Sequence, residues 1–221
     1  AQAKAAGAAM LININASPFH RGKSSERLER VKSCAAAHQL PIIYVNQVGG
    51  QDELVFDGGS FAIDAQGELS VSAQTFIEAF PIVAVDRSSD ARLAPGDTVA
   101  ERKDLDAVWQ ALVLGMRDYV DKNGFPGVVL GLSGGIDSAV TLAVAADALG
   151  HERVEAVMMP FRYTASMSVE DAKAEAQALG VRFSNLSIET LYEAFMTTLA
   201  DEFSGLPANI TEENLQARCR G

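Results

Sequence analysis

Residues 127–140, GVVLGLSGGIDSAV, contain the residue types of this chain that are best suited to chemistry. Gly131, Ser133 and Gly135 satisfy the pattern G-x-S-x-G, in which a serine hydrolase exposes its nucleophile on a sharp strand-to-helix turn. The same residues could instead wrap a phosphate group, because glycines let successive backbone N–H groups converge on an anion at a helix N-terminus. The segment therefore predicts either a nucleophilic serine or an anion site.

The hydrolase interpretation requires a histidine that follows the serine in the chain and can reach it. His151 is the histidine that follows Ser133, and it lies at the far end of the next predicted helix. At a rise of about 1.5 Å per residue, that helix carries His151 roughly 20 Å from the serine. A hydrolase would therefore need a histidine beyond residue 221, and this interpretation is disfavoured.

The phosphate interpretation accounts for more residues of this segment than the hydrolase interpretation does. Gly134 and Gly135 leave no Cβ to block a phosphate group, and Ser133 and Ser138 add hydroxyl donors. Asp137 would repel a bare phosphate, so its presence favours a bridging Mg²⁺ ion. A Walker A loop is excluded because no G-K-[ST] follows the glycines. The structural alternative is a tight turn with Asp137 placed at the positive end of the helix dipole.

The elements that must position this turn alternate between strand and helix. The patterns predict helix 105–123, strand 127–132, helix 137–150, strand 154–160, helix 168–180, strand 181–188 and a further helix to about residue 203. Short links between alternating elements indicate an α/β fold with a doubly wound parallel sheet and right-handed crossovers. A ligand is then expected outside the carboxyl ends of the strands.

The first half is mixed α and β. The patterns predict strand 10–15, a helix from Ser24 or Ser25 to about Gln39 with Leu28, Val31 and Ala35 on one face, strand 41–48, a glycine-rich turn over 49–60, a hairpin of 61–64 and 68–73, and strand 82–86. Residues 86–104 lose apolar periodicity, which is typical of a linker. The predicted domains are 1–88 and 105–221, with 89–104 as the linker.

Composition excludes several classes of protein. The 221 residues are 48% apolar with a formal charge of −11, which indicates a globular core and disfavours binding to nucleic acid or to anionic membranes. Cys34 and Cys219 show no metal-ligand spacing, and their usage fits a reducing cytoplasm. Cys34 is expected to be a small buried side chain. Both ends stop within helical patterns, so the chain is expected to be cropped at both ends.

At SGGIDS, residues 133–138, the chain resembles the PP-loop ATP pyrophosphatases. The segments ALVLGMRDYVDKNGF, MPFRYTASMSVEDA and GLPANITEENLQARCRG are similar to the synthetase domain of glutamine-dependent NAD synthetases. LININASPFHRGKSSERLERV and YVNQVGGQDELVFDGGSFAID are similar to the carbon-nitrogen hydrolase (nitrilase-like) domain of the same family. This resemblance implies the C-terminal part of a nitrilase-like αββα sandwich, followed by a PP-loop domain of the adenine nucleotide α-hydrolase type.

The resemblance also implies a reaction and its substrates. The nicotinate carboxylate of deamido-NAD would attack the α-phosphorus of ATP, and ammonia from glutamine hydrolysis would convert the adenylate to the amide. The residues implied for ATP binding are Gly131, Leu132, Ser133, Gly134, Gly135, Ile136, Asp137, Ser138 and Arg162, with Asp137 also binding Mg²⁺. Asn214 and Arg218 are implied to contact deamido-NAD. For Arg162, the structural alternative is an exposed surface arginine. For Asn214 and Arg218, it is an ordinary amphipathic helix.

For the glutaminase, the family pattern implies a Glu, Lys and Cys triad, and none of the three is present in this chain. Neither Cys34 nor Cys219 is assigned as the nucleophile. Ser17 and Lys23 match the glutamine-binding positions, although Ser17 could merely form a turn and Lys23 could be a solvated charge. The 221 residues alone are expected to be inactive, and the parent enzyme is expected to form a homo-oligomer through its synthetase domain. Another PP-loop ATP pyrophosphatase and a non-catalytic nucleotide-binding remnant are the remaining alternatives.

Overall fold

The computed structural model of the chain describes residues 2–86, 91–205 and 210–220. The chain forms two compact units, Ala1–Asn123 and Gly124–Gly221. Among the helices that the structure describes, none combines the length and the apolar character of a bilayer-crossing segment.

The first unit is mixed α and β, as its patterns predict. Its elements are α1 Gln2–Ala5, β1 Leu11–Asn15, α2 Lys23–His38, β2 Ile42–Asn46, β3 Val48–Gln51, β4 Leu54–Asp57, β5 Phe61–Ile63, β6 Leu69–Ser72, β7 Val85–Asp86, β8 Arg92–Leu93 and α3 Asp104–Lys122. The main sheet has the order β1-β2-β5-β6, with β1 and β2 parallel and the other neighbours antiparallel.

Helix α2 connects the two parallel strands and packs on the sheet. Its predicted apolar face is confirmed, because Leu28, Val31 and Ala35 join a core cluster with residues of β2 and β5. Tyr44 and Phe61 stack within that cluster with ring centroids 5.0 Å apart. Because α2 connects two parallel strands, the end of β1 and the start of α2 lie at the same edge of the sheet.

The predicted turn over 49–60 is wrong for most of its length. Strands β3 and β4 form an antiparallel hairpin, with Val48 paired to Asp57 and Gln51 to Leu54. A Cβ on Gly50 would lie 3.1 Å from the Cα of Gly115, so the hairpin backbone packs directly against α3. Strand β3 packs through its backbone, so two of its four residues are glycines. The alternation of side chains that marks a strand in a sequence is therefore missing.

The region beyond residue 76 also departs from its predictions. Strand 82–86 is reduced to Val85–Asp86, and Ile82 is 89% exposed. Within the predicted linker, β8 pairs with β7, and Leu93 is buried against Ala62 and Val71. Residues 87–90 lie outside the described residues. The domain limits predicted from composition stay a prediction.

The second unit is a parallel α/β structure, which confirms the predicted fold class. Its elements are β9 Val128–Gly131, α4 Ile136–Leu149, a 3₁₀ turn His151–Arg153, β10 Val154–Met158, α5 Ser166–Leu179, β11 Arg182–Asn185, α6 Glu189–Thr198, α7 Ala200–Phe203 and α8 Ile210–Arg218. The sheet order is β11-β10-β9, and both strand pairs are parallel. Leu142 of α4, Ala156 of β10 and Ala172 of α5 are fully buried in this unit.

Candidate functional site

The glycine-rich turn lies at the carboxyl end of β9, where a ligand is expected in a parallel sheet. Leu132 anchors the turn, because its side chain is 2% exposed and its N–H donates to the carbonyl of Val157 at 2.9 Å. Ser133 and Gly135 beyond it are exposed. The chain therefore leaves the buried sheet at Leu132 and presents the next residues to solvent.

Ser133 and Ser138 come together across the turn. Their hydroxyl oxygens are 3.0 Å apart, and the Ser138 hydroxyl also accepts from the N–H of Ser133 at 3.2 Å. The Ser138 hydroxyl donates to the carbonyl of Gly135 at 2.9 Å, and the N–H of Gly135 donates to the Ser133 hydroxyl at 3.3 Å. These four contacts close the turn with side-chain oxygens, so the serines shape the loop.

The N-terminus of α4 supplies the donors that an anion would use. No side chain caps the helix at Gly135. The first N–H groups of a helix have no acceptor within the helix, and the helix dipole places partial positive charge there. The amides of Ile136, Asp137 and Ser138 are at this position. The predicted anion site is therefore compatible with the local geometry.

Gly134 is required by two independent features. Its φ is +78°, which side-chain-bearing residues rarely adopt, and a Cβ there would lie 2.3 Å from the carbonyl oxygen of Ser168 in α5. Gly135 differs, because its φ is −96° and the nearest atom to a Cβ would be the Ser133 hydroxyl at 3.4 Å. The fold thus needs glycine at 134, whereas glycine at 135 leaves space in front of the turn.

Asp137 lies in the first turn of α4 with its side chain exposed. Its carbonyl accepts from the Thr141 hydroxyl at 2.8 Å. Within the described part of the chain, no group of three or more His, Cys, Asp or Glu side chains could hold a metal. A carboxylate oxygen suits Mg²⁺, which commonly binds through one or two carboxylates plus substrate phosphates. Asp137 therefore fits a magnesium ion that is shared with a nucleotide.

Arg162 follows β10 at the same edge of the sheet, and its guanidinium is tied to α6. It pairs with Glu189 and, at 3.2 Å, with Glu193. It also lies over the rings of Phe161 and Tyr192, at 5.1 and 5.9 Å from their centroids. The hydrogen bond with Glu189 raises the pKa of Arg162 above its ordinary value. Two carboxylates already hold its charge, and its contact with ATP stays a prediction.

Asn214 and Arg218 are both exposed on α8, and a spacing of four places them on one face of the helix. Residues 206–209, which precede this helix, lie outside the described residues. The predicted contact of these two side chains with deamido-NAD stays a prediction.

Ser17 and Lys23 flank the loop between β1 and α2. The N–H of Ser17 donates to Asn46 Oδ1 at 2.9 Å, and the N–H of Phe19 donates to the carbonyl of Val55 at 2.7 Å. Lys23 is the first residue of α2, and its Nζ lies 3.8 Å from Glu26 Oε2. Both residues are half-buried, so Lys23 is neither a fully solvated charge nor a core residue. The predicted contacts of Ser17 and Lys23 with glutamine stay predictions.

A buried ion pair near this loop was missed by the sequence patterns. Arg27 of α2 and Asp57 of β4 have side chains that are 4% and 2% exposed, and they pair at 3.1 and 2.8 Å through two hydrogen bonds. The helical spacing could have indicated the burial of Arg27, because Arg27, Val31 and Ala35 follow one another at intervals of four on the buried face of α2. The expectation for Cys34 is wrong: it is exposed, because the buried face of α2 passes through its neighbour Ala35.

Comparison with known proteins matches both units. The family model described as NAD synthase matches residues 108–221, and the carbon-nitrogen hydrolase model matches residues 1–94. Glutamine-dependent NAD(+) synthetase from Acinetobacter baylyi is 45% identical over 216 residues, covering 96% of this chain and 39% of the relative. The Rhodobacter capsulatus protein of the same name is 44% identical over 218 residues, covering 98% of this chain and 40% of the relative.

Solved structures agree with these relatives. Glutamine-dependent NAD+ synthetase from Acinetobacter baumannii, in complex with ADP, superposes with a TM-score of 0.94 at 45% identity, covering 99% of this chain and 41% of that one. A glutamine-dependent NAD(+) synthetase from Cytophaga hutchinsonii, at 22% identity, shares the fold with a TM-score of 0.80 over 98% of this chain and 43% of its own.

The described units are thus a nitrilase-like α/β part followed by a PP-loop α/β domain whose glycine turn opens a helix. The chain belongs to the NAD synthase family. It spans about two fifths of the length of the curated relatives that it matches.

Proposed function

We propose that the chain is part of an enzyme that amidates deamido-NAD to NAD at the expense of ATP, with ammonia released from glutamine by the nitrilase-like domain. The turn at 131–138 is the observation that carries this proposal, since it joins an uncapped helix N-terminus, two converging serine hydroxyls and one exposed carboxylate. Relatives that are 44–45% identical over nearly the whole chain carry the name of this enzyme.

The residues of the turn bind and orient the leaving group. A carboxylate is a poor electrophile, so the nicotinate oxygen attacks the α-phosphorus of ATP, the bond to the β-phosphate breaks, and pyrophosphate leaves. The N–H groups at the start of α4 stabilise the negative charge that develops on that pyrophosphate. Ammonia then attacks the adenylate carbonyl, and AMP leaves as the amide forms.

Asp137 would hold the magnesium ion in this proposal. When bound, Mg²⁺ neutralises phosphate charge and orients the triphosphate. The carboxylate is exposed beside the N-terminus of α4, so it can share an ion with phosphate oxygens without a rearrangement of the helix.

The other predicted contacts complete the assignment. Arg162 would meet ATP, Asn214 and Arg218 would meet deamido-NAD, and Ser17 and Lys23 would hold glutamine. Arg162 would have to exchange one of its glutamate partners for the nucleotide. Assembly as a homo-oligomer through the synthetase domain and location in the cytoplasm are further parts of the proposal.

Isotope exchange between ATP and pyrophosphate tests the proposal in the full-length gene product. Exchange that depends on deamido-NAD is expected, and Asp137→Ala should lower it roughly 100-fold or more, since transition-state charge loses its counter-ion. Asp147→Ala is the matched control, because Asp147 is an exposed aspartate at the opposite end of the same helix. Exchange that is indifferent to deamido-NAD would assign the chain to another ATP pyrophosphatase. Unchanged exchange in Asp137→Ala would refute the magnesium assignment.

A further inference from the structure

The carboxamide of Asn46 is buried at the end of β2, with 7% of the residue exposed. Its Oδ1 accepts the N–H of Ser17 at 2.9 Å. Its Nδ2 donates to Asp57 Oδ1 at 3.0 Å and to the carbonyl of Gly58 at 3.1 Å. The oxygen therefore faces a donor and the nitrogen faces acceptors, an arrangement that an amide satisfies and a carboxylate does not.

The Asp57–Arg27 ion pair fixes the orientation of this amide. Both oxygens of Asp57 accept from Arg27, and one of them also accepts from Asn46. The Arg27 guanidinium lies 5.7 Å from the centroid of the Tyr44 ring, which restricts its movement. Since both charged side chains are almost wholly buried, the two hydrogen bonds between them are screened from water.

The same network reaches both sides of the loop between β1 and α2. Asn46 holds the main chain at Ser17, while Arg27 holds α2 one turn after its first residue, Lys23. Between these points, Pro18 forms a bridge with Phe56 of β4. The two side chains predicted to hold glutamine are thus carried by segments that converge on one buried cluster.

We infer that Asn46 is a positioning residue for the use of glutamine. Its carboxamide, oriented by Asp57 and Arg27, fixes the backbone at Ser17 and thereby sets where Ser17 and Lys23 meet the substrate. This inference rests on the proposed function, because Ser17 and Lys23 bind glutamine only in that proposal. Asn46 acts through Ser17 and is itself buried.

Steady-state kinetics on the full-length protein test this role, with glutamine or ammonium as the nitrogen source. In Asn46→Ala the KM for glutamine should rise roughly 10- to 100-fold, because displacing a binding group by about 1 Å costs that much. The rate with saturating ammonium should change by less than about twofold, as for a substitution remote from that site. An unchanged KM for glutamine, or an equal loss with both nitrogen sources, would overturn the inference.

Ser60→Ala is the matched control. The Ser60 hydroxyl accepts the backbone N–H of Asn46 at 3.0 Å, so this variant removes one hydrogen bond from the same residue and leaves the carboxamide intact. The KM for glutamine should stay within about twofold of the wild-type value. A rise as large as that of Asn46→Ala would show that loosening of β2, and not the contact with Ser17, controls the site.

Hydrogen exchange of the wild-type protein tests the contact between Asn46 and Ser17 even if Asn46→Ala does not fold. The Ser17 amide should exchange about 100-fold or more below its unprotected rate, although it lies in a loop. Exchange at the unprotected rate would refute the positioning contact. Failure of the wild-type protein to use glutamine would refute the proposed function, whereas normal use by wild type and variant alike would refute this inference alone.

Discussion

Substitution of Gly134 by alanine tests whether the turn after β9 is built as the structure indicates. The backbone φ of +78° places residue 134 in the left-handed region, which costs an L side chain about 1–2 kcal/mol. The new Cβ would also lie 2.3 Å from the carbonyl oxygen of Ser168. Carbon and oxygen atoms in contact are normally about 3.3–3.6 Å apart, so the turn or α5 must move by roughly 1 Å.

Together these effects predict a loss of unfolding free energy of about 2–5 kcal/mol for Gly134→Ala, since overpacking alone typically costs about 1–3 kcal/mol. For a domain of about 100 residues, that loss lowers the melting temperature by at least about 8 °C. The same displacement should lower ATP–pyrophosphate exchange roughly 100-fold, because the N–H groups no longer converge on the phosphate.

Gly135→Ala separates the loss of stability from the loss of nucleotide binding. Its φ of −96° is ordinary and its nearest contact is 3.4 Å, so the unfolding free energy should change by less than about 0.5 kcal/mol. If the space in front of Gly135 receives a phosphate, this variant should fold normally yet lose ATP affinity, as measured by calorimetry. A Gly134→Ala protein with wild-type melting temperature, or a Gly135→Ala protein that binds ATP normally, would refute the corresponding half of the reasoning.

Two further predictions concern the first unit. Asp57→Asn should lower the unfolding free energy by about 3–5 kcal/mol in urea denaturation, because Arg27 would stay buried without its counter-ion. The control Glu29→Gln breaks an exposed pair with Lys32 and should lower the unfolding free energy by less than about 1 kcal/mol. Equal losses in these two variants would contradict the assignment of the buried pair. Gly50→Ala should lower the unfolding free energy by about 1–3 kcal/mol, since its Cβ would meet the backbone of α3 at 3.1 Å. It should also raise the rate of hydrogen exchange in residues 48–57. Exchange at the wild-type rate in that hairpin would contradict the packing.

Local patterns were sufficient for the elements whose residues are marked by period or by turn chemistry. The alternation of apolar strands and helices predicted the parallel sheet of the second unit, and the spacing of Leu28, Val31 and Ala35 predicted the buried face of α2. The hairpin of β5 and β6 was predicted because a short polar turn separates two apolar runs, and Asp64 closes that turn by accepting from two backbone N–H groups.

Other features depend on residues that are distant in the chain. The β3–β4 hairpin was missed because its glycines pack against α3, a helix more than fifty residues later. Arg162 was predicted as a nucleotide contact, but only the fold shows that α6 brings two carboxylates to its guanidinium. Likewise, residues next to Gly134 in sequence do not reveal its contact with Ser168.

The amino-acid sequence by itself therefore determined the class of fold, the position of the glycine turn and the buried face of α2, because each is recorded in the spacing of near neighbours. Only the tertiary structure decided that Arg27 pairs with Asp57, that Asn46 holds Ser17, and that two carboxylates meet Arg162. The physical reason is that burial and pairing are set by whichever segments the fold brings into contact, and a charged or polar residue carries no local mark of that partner.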